Sequence, residues 1–339
     1  MRGDNMTCKN CTVGTIQFRV KLAGNNNLVI KQVAIEHLAR LGYLIIEENG
    51  ILFVHEEAMR ELTDFFTTFG EIDDITFTVD ENWQPLTEVY DVLQASWVDT
   101  IITKNRIICH SQPIVQSSGT IFGHEVLARF VGENGELLYP AEVFKAAKLR
   151  GRLFALDRAC RLAAVRYGKK LTGKIFINFI PTSIYEPKFC LQSTELLARK
   201  LNIEPKRFIF EVVESEEVND MEHLKRILSY YRNKGFEYAL DDVGEGYSTI
   251  DLLEEIKPNY MKLDRKYVNG VANDRYLQSM ASLFLKKALE IRAIPLAEGI
   301  ETKEDFLFLK TLGFQLFQGY LFSKPQPEPI VAIDWQAIS

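Results

Sequence analysis

Long apolar runs are missing from this chain of 339 residues. No uninterrupted stretch approaches the roughly 18 residues that a membrane-spanning helix needs. The opening segment MRGDNMTCKNCTVG carries no apolar core of the kind a secretory signal has. Both absences lead to the expectation of a soluble cytoplasmic protein. A positive excess is also missing: 40 lysines and arginines stand against 46 aspartates and glutamates, for a net charge of −6. Binding to duplex nucleic acid through phosphate neutralisation is therefore not expected. Cysteine is scarce and odd in number, at five. Cys160 and Cys190 lie in apolar contexts and read as small core residues. Cys8 and Cys11 alone have motif spacing. They read first as free thiols near a chain end, second as half of a zinc site completed by another chain or as a redox pair.

Several catalytic signatures are absent as well. The five histidines (His37, His55, His110, His124 and His223) are scattered and never take HExxH spacing, which argues against zinc hydrolase chemistry. No GxSxG elbow marks a serine nucleophile. GKKLTGKI, at 168–175, imitates a phosphate loop but ends in Ile175 where a Ser or Thr would be needed, and it precedes a strand.

What the chain does have is two rhythms. Residues 1–80 read as a small α+β regulatory or interaction domain. Within it, TIQFRVKL, a helix, the hairpin signal YLIIEENGILFVH with Asn49-Gly50 at its turn, a second helix and DITFTVD follow in the order β-α-β-β-α-β, an order that permits a ferredoxin-like module. Residues 81–105 read as a linker and lead-in helix. From 106 to 330, short apolar runs alternate with helical segments such as EVNDMEHLKRILSYYRNKG, where Met221, Leu224, Leu228 and Tyr231 recur at helical spacing. Alternating β and α elements over ~230 residues suit a TIM-like (β/α)8 barrel. A doubly wound open sheet is the alternative, but its glycine fingerprint is absent.

Nearly every strand of the second part ends in an acid or amide: Glu125, Asn178, Glu211, Asp241, Asp242, Asp264 and Glu298. In a barrel those ends share one mouth. Crowded carboxylates in a partly dehydrated space oppose one another's ionisation, and two divalent cations would nearly neutralise them. All the donors are oxygens, so Mg²⁺ or Mn²⁺ fit. Ion pairs of this kind serve phosphodiester hydrolysis. The adjacent Asp241 and Asp242 need a backbone turn at the strand end if both are to reach in, since successive strand residues alternate sides. Lys262 and Asp264, two apart, can both face inward. Arg129 lies four residues past Glu125 and would bind phosphate.

Taken together, SQPIV (111–115), GHEVLARF, INF (177–179), EVVES (211–215), DDVGEGYS, KLDR, AEGIE and QGYLFSKP resemble, in order, the EAL family of cyclic di-GMP phosphodiesterases. The resemblance covers about 85–328. It implies a TIM-like barrel with one antiparallel strand, two divalent cations and hydrolysis of cyclic di-GMP to linear pGpG. The metal ligands it implies are Glu125, Asn178, Glu211, Asp241, Asp242 and Glu298. It gives Lys262 the orientation of water, Gln112, Arg129 and Gln318 contacts with substrate, Glu214 the anchoring of the loop after Asp242, and Glu301 help at the metal edge. It also implies a homodimer through the barrel, with an unidentified ligand or protein partner for the N-terminal domain. Val126, Val213, Val243 and Glu245 depart from the family pattern and bear on activity level and regulation. A catalytically silent cyclic di-GMP receptor is the alternative. Such members usually lack several ligands, and this chain lacks none.

Overall fold

A computed structural model describes residues 13–213, 220–244 and 249–335. The elements in chain order begin with β1 (Gln17–Leu22), α1 (Asn25–Arg40), β2 (Ile46–Glu48), β3 (Ile51–His55), α2 (Glu56–Phe69), β4 (Ile75–Thr78), β5 (Gln84–Pro85), α3 (Val89–Gln94) and α4 (Trp97–Thr103). They continue with β6 (Ile107–Gln116), β7 (Ile121–Val131), β8 (Leu137–Leu138), α5 (Pro140–Leu149), α6 (Leu153–Tyr167), β9 (Lys174–Phe179), α7 (Pro187–Cys190), α8 (Gln192–Lys200) and β10 (Phe208–Val213). The last are α9 (Met221–Asn233), β11 (Glu237–Val243), α10 (Thr249–Ile256), β12 (Tyr260–Leu263), α11 (Arg265–Val268), α12 (Arg275–Glu290), β13 (Ile294–Ala297), α13 (Lys303–Leu312) and β14 (Leu316–Phe317). No helix among the described residues is long and apolar enough to cross a membrane.

Among the described residues these elements form two compact units, one holding 13–106 together with 130–156, the other holding 107–129 and those from 157 onward. In the first, an antiparallel sheet takes the order β2-β3-β1-β4-β5. Without β5 this is the sheet order of a split β-α-β unit. Asn49 and Gly50 both take positive φ, at 53° and 78°, as a tight hairpin turn requires. Phe18, Val20, Phe66 and Phe77 fill its core, and so do Leu86, Val89 and Val92. The segment expected as a linker therefore belongs to this core: its apolar residues recur at helical spacing and find a face to bury against. The expected single lead-in helix is two, α3 and α4. Arg150, just after α5, is buried and binds Asp99 (2.8 and 3.0 Å), Glu56 (2.9 Å) and the carbonyl of Val92 (3.1 Å).

The second unit is an eight-stranded closed barrel. Strands β7, β9, β10, β11, β12, β13 and β14 run parallel in that order. β6 runs antiparallel to β14 and pairs with β7 to close the ring. It is the single antiparallel strand. Closure excludes the open doubly wound sheet. Side chains alternate in and out along a strand, and the inward positions form a layer: Ile114, Phe176, Ile209, Ala239, Tyr260, Leu296 and Leu316 pack as one cluster. This layer plugs the barrel beneath its mouth. The same strands carry Asn178, Glu211, Asp241, Lys262, Glu298 and Gln318 two residues further on, so a polar layer stands directly above an apolar one.

A candidate metal centre at the barrel mouth

Parity and register bring the polar layer together. Neighbouring strands align Glu211 with Asn178 and Ala239, and Lys262 with Leu296. Lys262 is 1% exposed and its ammonium touches three acids: Glu211 at 2.5 Å, Glu298 at 2.5 Å and Asp241 at 2.9 Å. Glu125 accepts from Asn178 Nδ2 (2.9 Å) and Gln318 Nε2 (2.6 Å). Gln318 Nε2 also donates to Gln112 Oε1 (3.0 Å), and Gln112 donates to the Ser323 carbonyl (3.0 Å).

The adjacent aspartates converge because β11 is irregular. Its register with β12 shifts between Leu240 and Val243, and Asp242 has φ of 53°, a conformation that non-glycine residues seldom adopt. The turn cancels the normal alternation. As a result Asp241, Asp242 and Glu298 each offer an oxygen within 4.8 Å of the others, as do Glu125, Glu211 and Glu298. The backbone N–H of Asp242 donates to Asp241 Oδ1 (3.0 Å).

Electrostatically the site is short of positive charge. Burial pushes the Glu211 carboxyl well above the ordinary carboxylate range, and Glu125, Asp241 and Glu298 push it further against the pull of Lys262. Burial likewise raises Glu298, with Asp241 adding to the effect. It raises Asp241 too, where Lys262 opposes it. Burial draws Lys262 down, but the surrounding acids, Asp241 foremost, outweigh it and hold the ammonium well above its ordinary range. Glu211 Oε2 and Gln318 Oε1 are buried without a hydrogen-bond partner among the described residues. Unpaired buried oxygens are costly. An all-oxygen donor set with orphaned acceptors and a carboxylate shared between two clusters fits a pair of hard divalent cations.

Other expected residues fall differently. Asp264 does not face the acids: it caps α11, accepting from the Lys266 N–H (2.7 Å), because the strand ends at Leu263 and the chain turns into a helix. Arg129 donates to the Ala128 carbonyl (2.9 Å), and its charge acts on His110; it does not line the mouth cleft. Glu301 stands 3.9 Å from Arg265. Val126 and Val243 are buried. Glu214, Glu245, Cys8 and Cys11 lie outside the described residues. Cys109 and Cys190 are buried, and burial pushes the Cys109 thiol up to about 12. The cleft above the acids has a volume of about 140 Å³. Arg265, Gly299 and Tyr320 line it, and sequence reasoning missed all three. The signal available was their place one to three residues beyond residues already singled out.

The family model of the EAL domain matches residues 94–325. The chain is 30% identical over 233 residues to cyclic di-GMP phosphodiesterase PdeF of Escherichia coli (strain K12), a match covering 66% of this chain and 30% of that protein. It is 32% identical over 235 residues to the probable cyclic di-GMP phosphodiesterase PdeG of the same organism, covering 66% and 45%. It thus spans less than half the length of either relative. Among solved structures, it is similar to a standalone versatile EAL protein from Vibrio cholerae O395 in its c-di-GMP-bound form. There the identity is 33% and the TM-score 0.61, covering 69% of this chain and 98% of that one.

Proposed function

Because this chain belongs to the EAL domain family, we propose that it hydrolyses one phosphodiester bond of cyclic di-GMP, releasing linear pGpG. The observation that carries this reading is the ring of buried acids around Lys262, with no expected ligand missing from it. Two divalent cations, Mg²⁺ or Mn²⁺, held by Glu125, Asn178, Glu211, Asp241, Asp242 and Glu298, would supply an activated water and neutralise charge on the phosphate. Asn178 spends its amide N–H on Glu125, which leaves its carbonyl oxygen for an ion. Lys262, kept protonated by its neighbours, places a fixed positive charge beside the reacting phosphate and orients the incoming water. Gln112 and Gln318 form a buried amide pair at the cleft wall and position the substrate. Arg129 contributes a phosphate contact further out. Glu301 belongs to the edge of the site.

In this reading the protein acts in the cytoplasm as a homodimer, with residues 1–80 as its control element. Support for these points comes from the family resemblance and from the separate core of the N-terminal unit.

The test incubates the purified chain with cyclic di-GMP and Mg²⁺ or Mn²⁺ and separates the products chromatographically. Appearance of pGpG, lost in Glu125→Ala, is the expected result. Tight binding without product would replace the enzyme by a receptor, and no binding would remove both.

A further inference from the structure

One buried charge pair in the barrel unit has no part in the chemistry above. Asp157 and Arg161 stand four apart on α6, a spacing that sets two side chains on one helix face. Pairs of that spacing commonly lie in solvent, where they are worth little. Here Asp157 is 4% exposed and Arg161 1%. Arg161 Nη1 donates to Asp157 Oδ2 at 2.5 Å, and its Nε donates to the buried Thr194 Oγ1 on α8 (3.2 Å). Taking two charges out of water costs about as much as their attraction provides, so apolar residues of similar volume would stabilise the fold as well. The pair must be judged by what it holds.

Asp157 reaches out of α6 to the chain leaving β9. Its Oδ1 accepts from the Ile180 N–H (3.0 Å), and its Oδ2 accepts from the Ser183 hydroxyl as well as from Arg161 (2.7 Å to Ser183). These two groups bracket one tight turn, in which the Ser183 N–H donates to the Ile180 carbonyl (3.0 Å) and the Ile184 N–H to the Pro181 carbonyl (3.0 Å). The register of β9 with β10 runs to Phe179, opposite Val212. The Ile180 N–H is the first beyond it, and Pro181 has no N–H to offer. A buried N–H needs an acceptor, and the Asp157 carboxylate takes the place of the next strand.

Asn178 stands two residues before Ile180. Its Nδ2 donates to Glu125 (2.9 Å), which leaves its carbonyl oxygen as the end that can meet a cation. A backbone rotation at 179–180 would swing this amide away from Glu125 or turn N–H donors toward the ion. Resting on the reading that the mouth binds divalent cations, we propose that Asp157 and Arg161 are positioning residues for Asn178. By gripping both ends of the turn after β9, Asp157 holds the amide with its nitrogen on Glu125 and its oxygen free. Arg161 fixes the Asp157 carboxylate, and Thr194 steadies Arg161. Ligand sets demand placement within about 0.5 Å, and removing groups that orient a ligand typically costs about 10- to 100-fold in metal affinity or activity.

The experiment compares two doubly substituted full-length chains that both lack the charge pair. Asp157→Asn with Arg161→Met keeps the grip, since the Asn oxygen can accept from Ile180 and its amide can donate to the Ser183 hydroxyl. Asp157→Leu with Arg161→Met removes it. Mn²⁺ affinity is read by titration calorimetry without substrate, and kcat and KM are read with cyclic di-GMP. We expect the Asn–Met chain to stay close to wild type. The Leu–Met chain should bind Mn²⁺ about tenfold more weakly or worse and lose kcat to a similar degree, with KM little changed. Ser183→Ala, which leaves the charge pair intact, should shift both in the same direction by less, and it keeps the test open if the Leu–Met chain does not fold. Equal losses in the two double variants would assign the pair to the fold and overturn positioning. Wild-type Mn²⁺ affinity in both the Leu–Met and Ser183→Ala chains would overturn it too. A wild-type chain that neither binds Mn²⁺ nor releases pGpG would instead bring down the proposed function, and this inference with it.

Discussion

Two buried cations in this protein sit among carboxylates, to opposite ends. In the N-terminal unit, Arg150 spreads its guanidinium over Asp99, Glu56 and a backbone carbonyl, and Arg152 takes the remaining oxygen of Asp99 (2.9 Å). Charges there balance and the donors are used. At the barrel mouth, three carboxylates crowd one ammonium, and Glu211 Oε2 has no partner among the described residues. A satisfied cluster holds structure together. An unbalanced one stores unfavourable charge that a cationic ligand relieves. Burial alone does not separate the two cases; the sign and number of the unpaired groups do.

That contrast can be broken. Its largest consequence concerns activity: Glu211→Gln should reduce phosphodiester hydrolysis on the order of a thousandfold, several kcal/mol of transition-state stabilisation. Without divalent ions the same variant should unfold no earlier than wild type in a denaturant titration. A clear destabilisation would make Glu211 a structural residue like Asp99. Arg150→Met should do the reverse, costing about 3 kcal/mol of the N-terminal unit's stability by leaving Asp99 and Glu56 uncompensated. A stability loss under 1 kcal/mol would mean that water replaces the guanidinium.

Millimolar Mg²⁺ or Mn²⁺ should raise the thermal midpoint of the wild-type chain, by the equivalent of about 2.7 kcal/mol at a hundred times the dissociation constant. Chelation should reverse the shift and Glu211→Gln should abolish it. An identical shift in that variant would place the ions elsewhere.

The smallest effect lies beside the site. His124 is 1% exposed and bonds the Ile330 carbonyl (2.9 Å). Burial lowers its pKa below the ordinary value of 6.5, against that bond's pull. The unfolded chain therefore binds more protons in this range. The stability from a neutral His124 is complete above about pH 6.5 and is lost as pH falls through the lowered folded value. His124→Gln should reduce the stability lost between pH 7.5 and 5 by about 1 kcal/mol or less, measured by denaturant midpoints. An unchanged pH slope would show that other groups carry it.

Much of the barrel was legible because the β period leaves a plain record: each apolar inward residue is followed two positions later by a polar one, as in Phe176 and Asn178 or Tyr260 and Lys262. Asp264 satisfied the same period and misled, because the strand ended one residue earlier and a helix cap claimed its carboxylate. Residues 81–105 misled for a related reason. They read as a linker followed by a helix leading into the barrel, yet Leu86, Val89 and Val92 are buried in a core assembled with residues far away in the chain. Arg265 and Tyr320 had no periodic signal, since they stand on the turns beyond the strands.

The amino-acid sequence by itself determined which side chains carry oxygen donors, how many there are, and that alternation would put them on one side of their strands. These are local properties of residue type and parity. Only the tertiary structure decided that eight strands close with three of the donors touching one ammonium, that a left-handed Asp242 turns two neighbours to the same side, and that Arg265 stands beside Glu301 at the rim. Such proximities arise from closure and register between segments far apart in the chain, where no local preference acts.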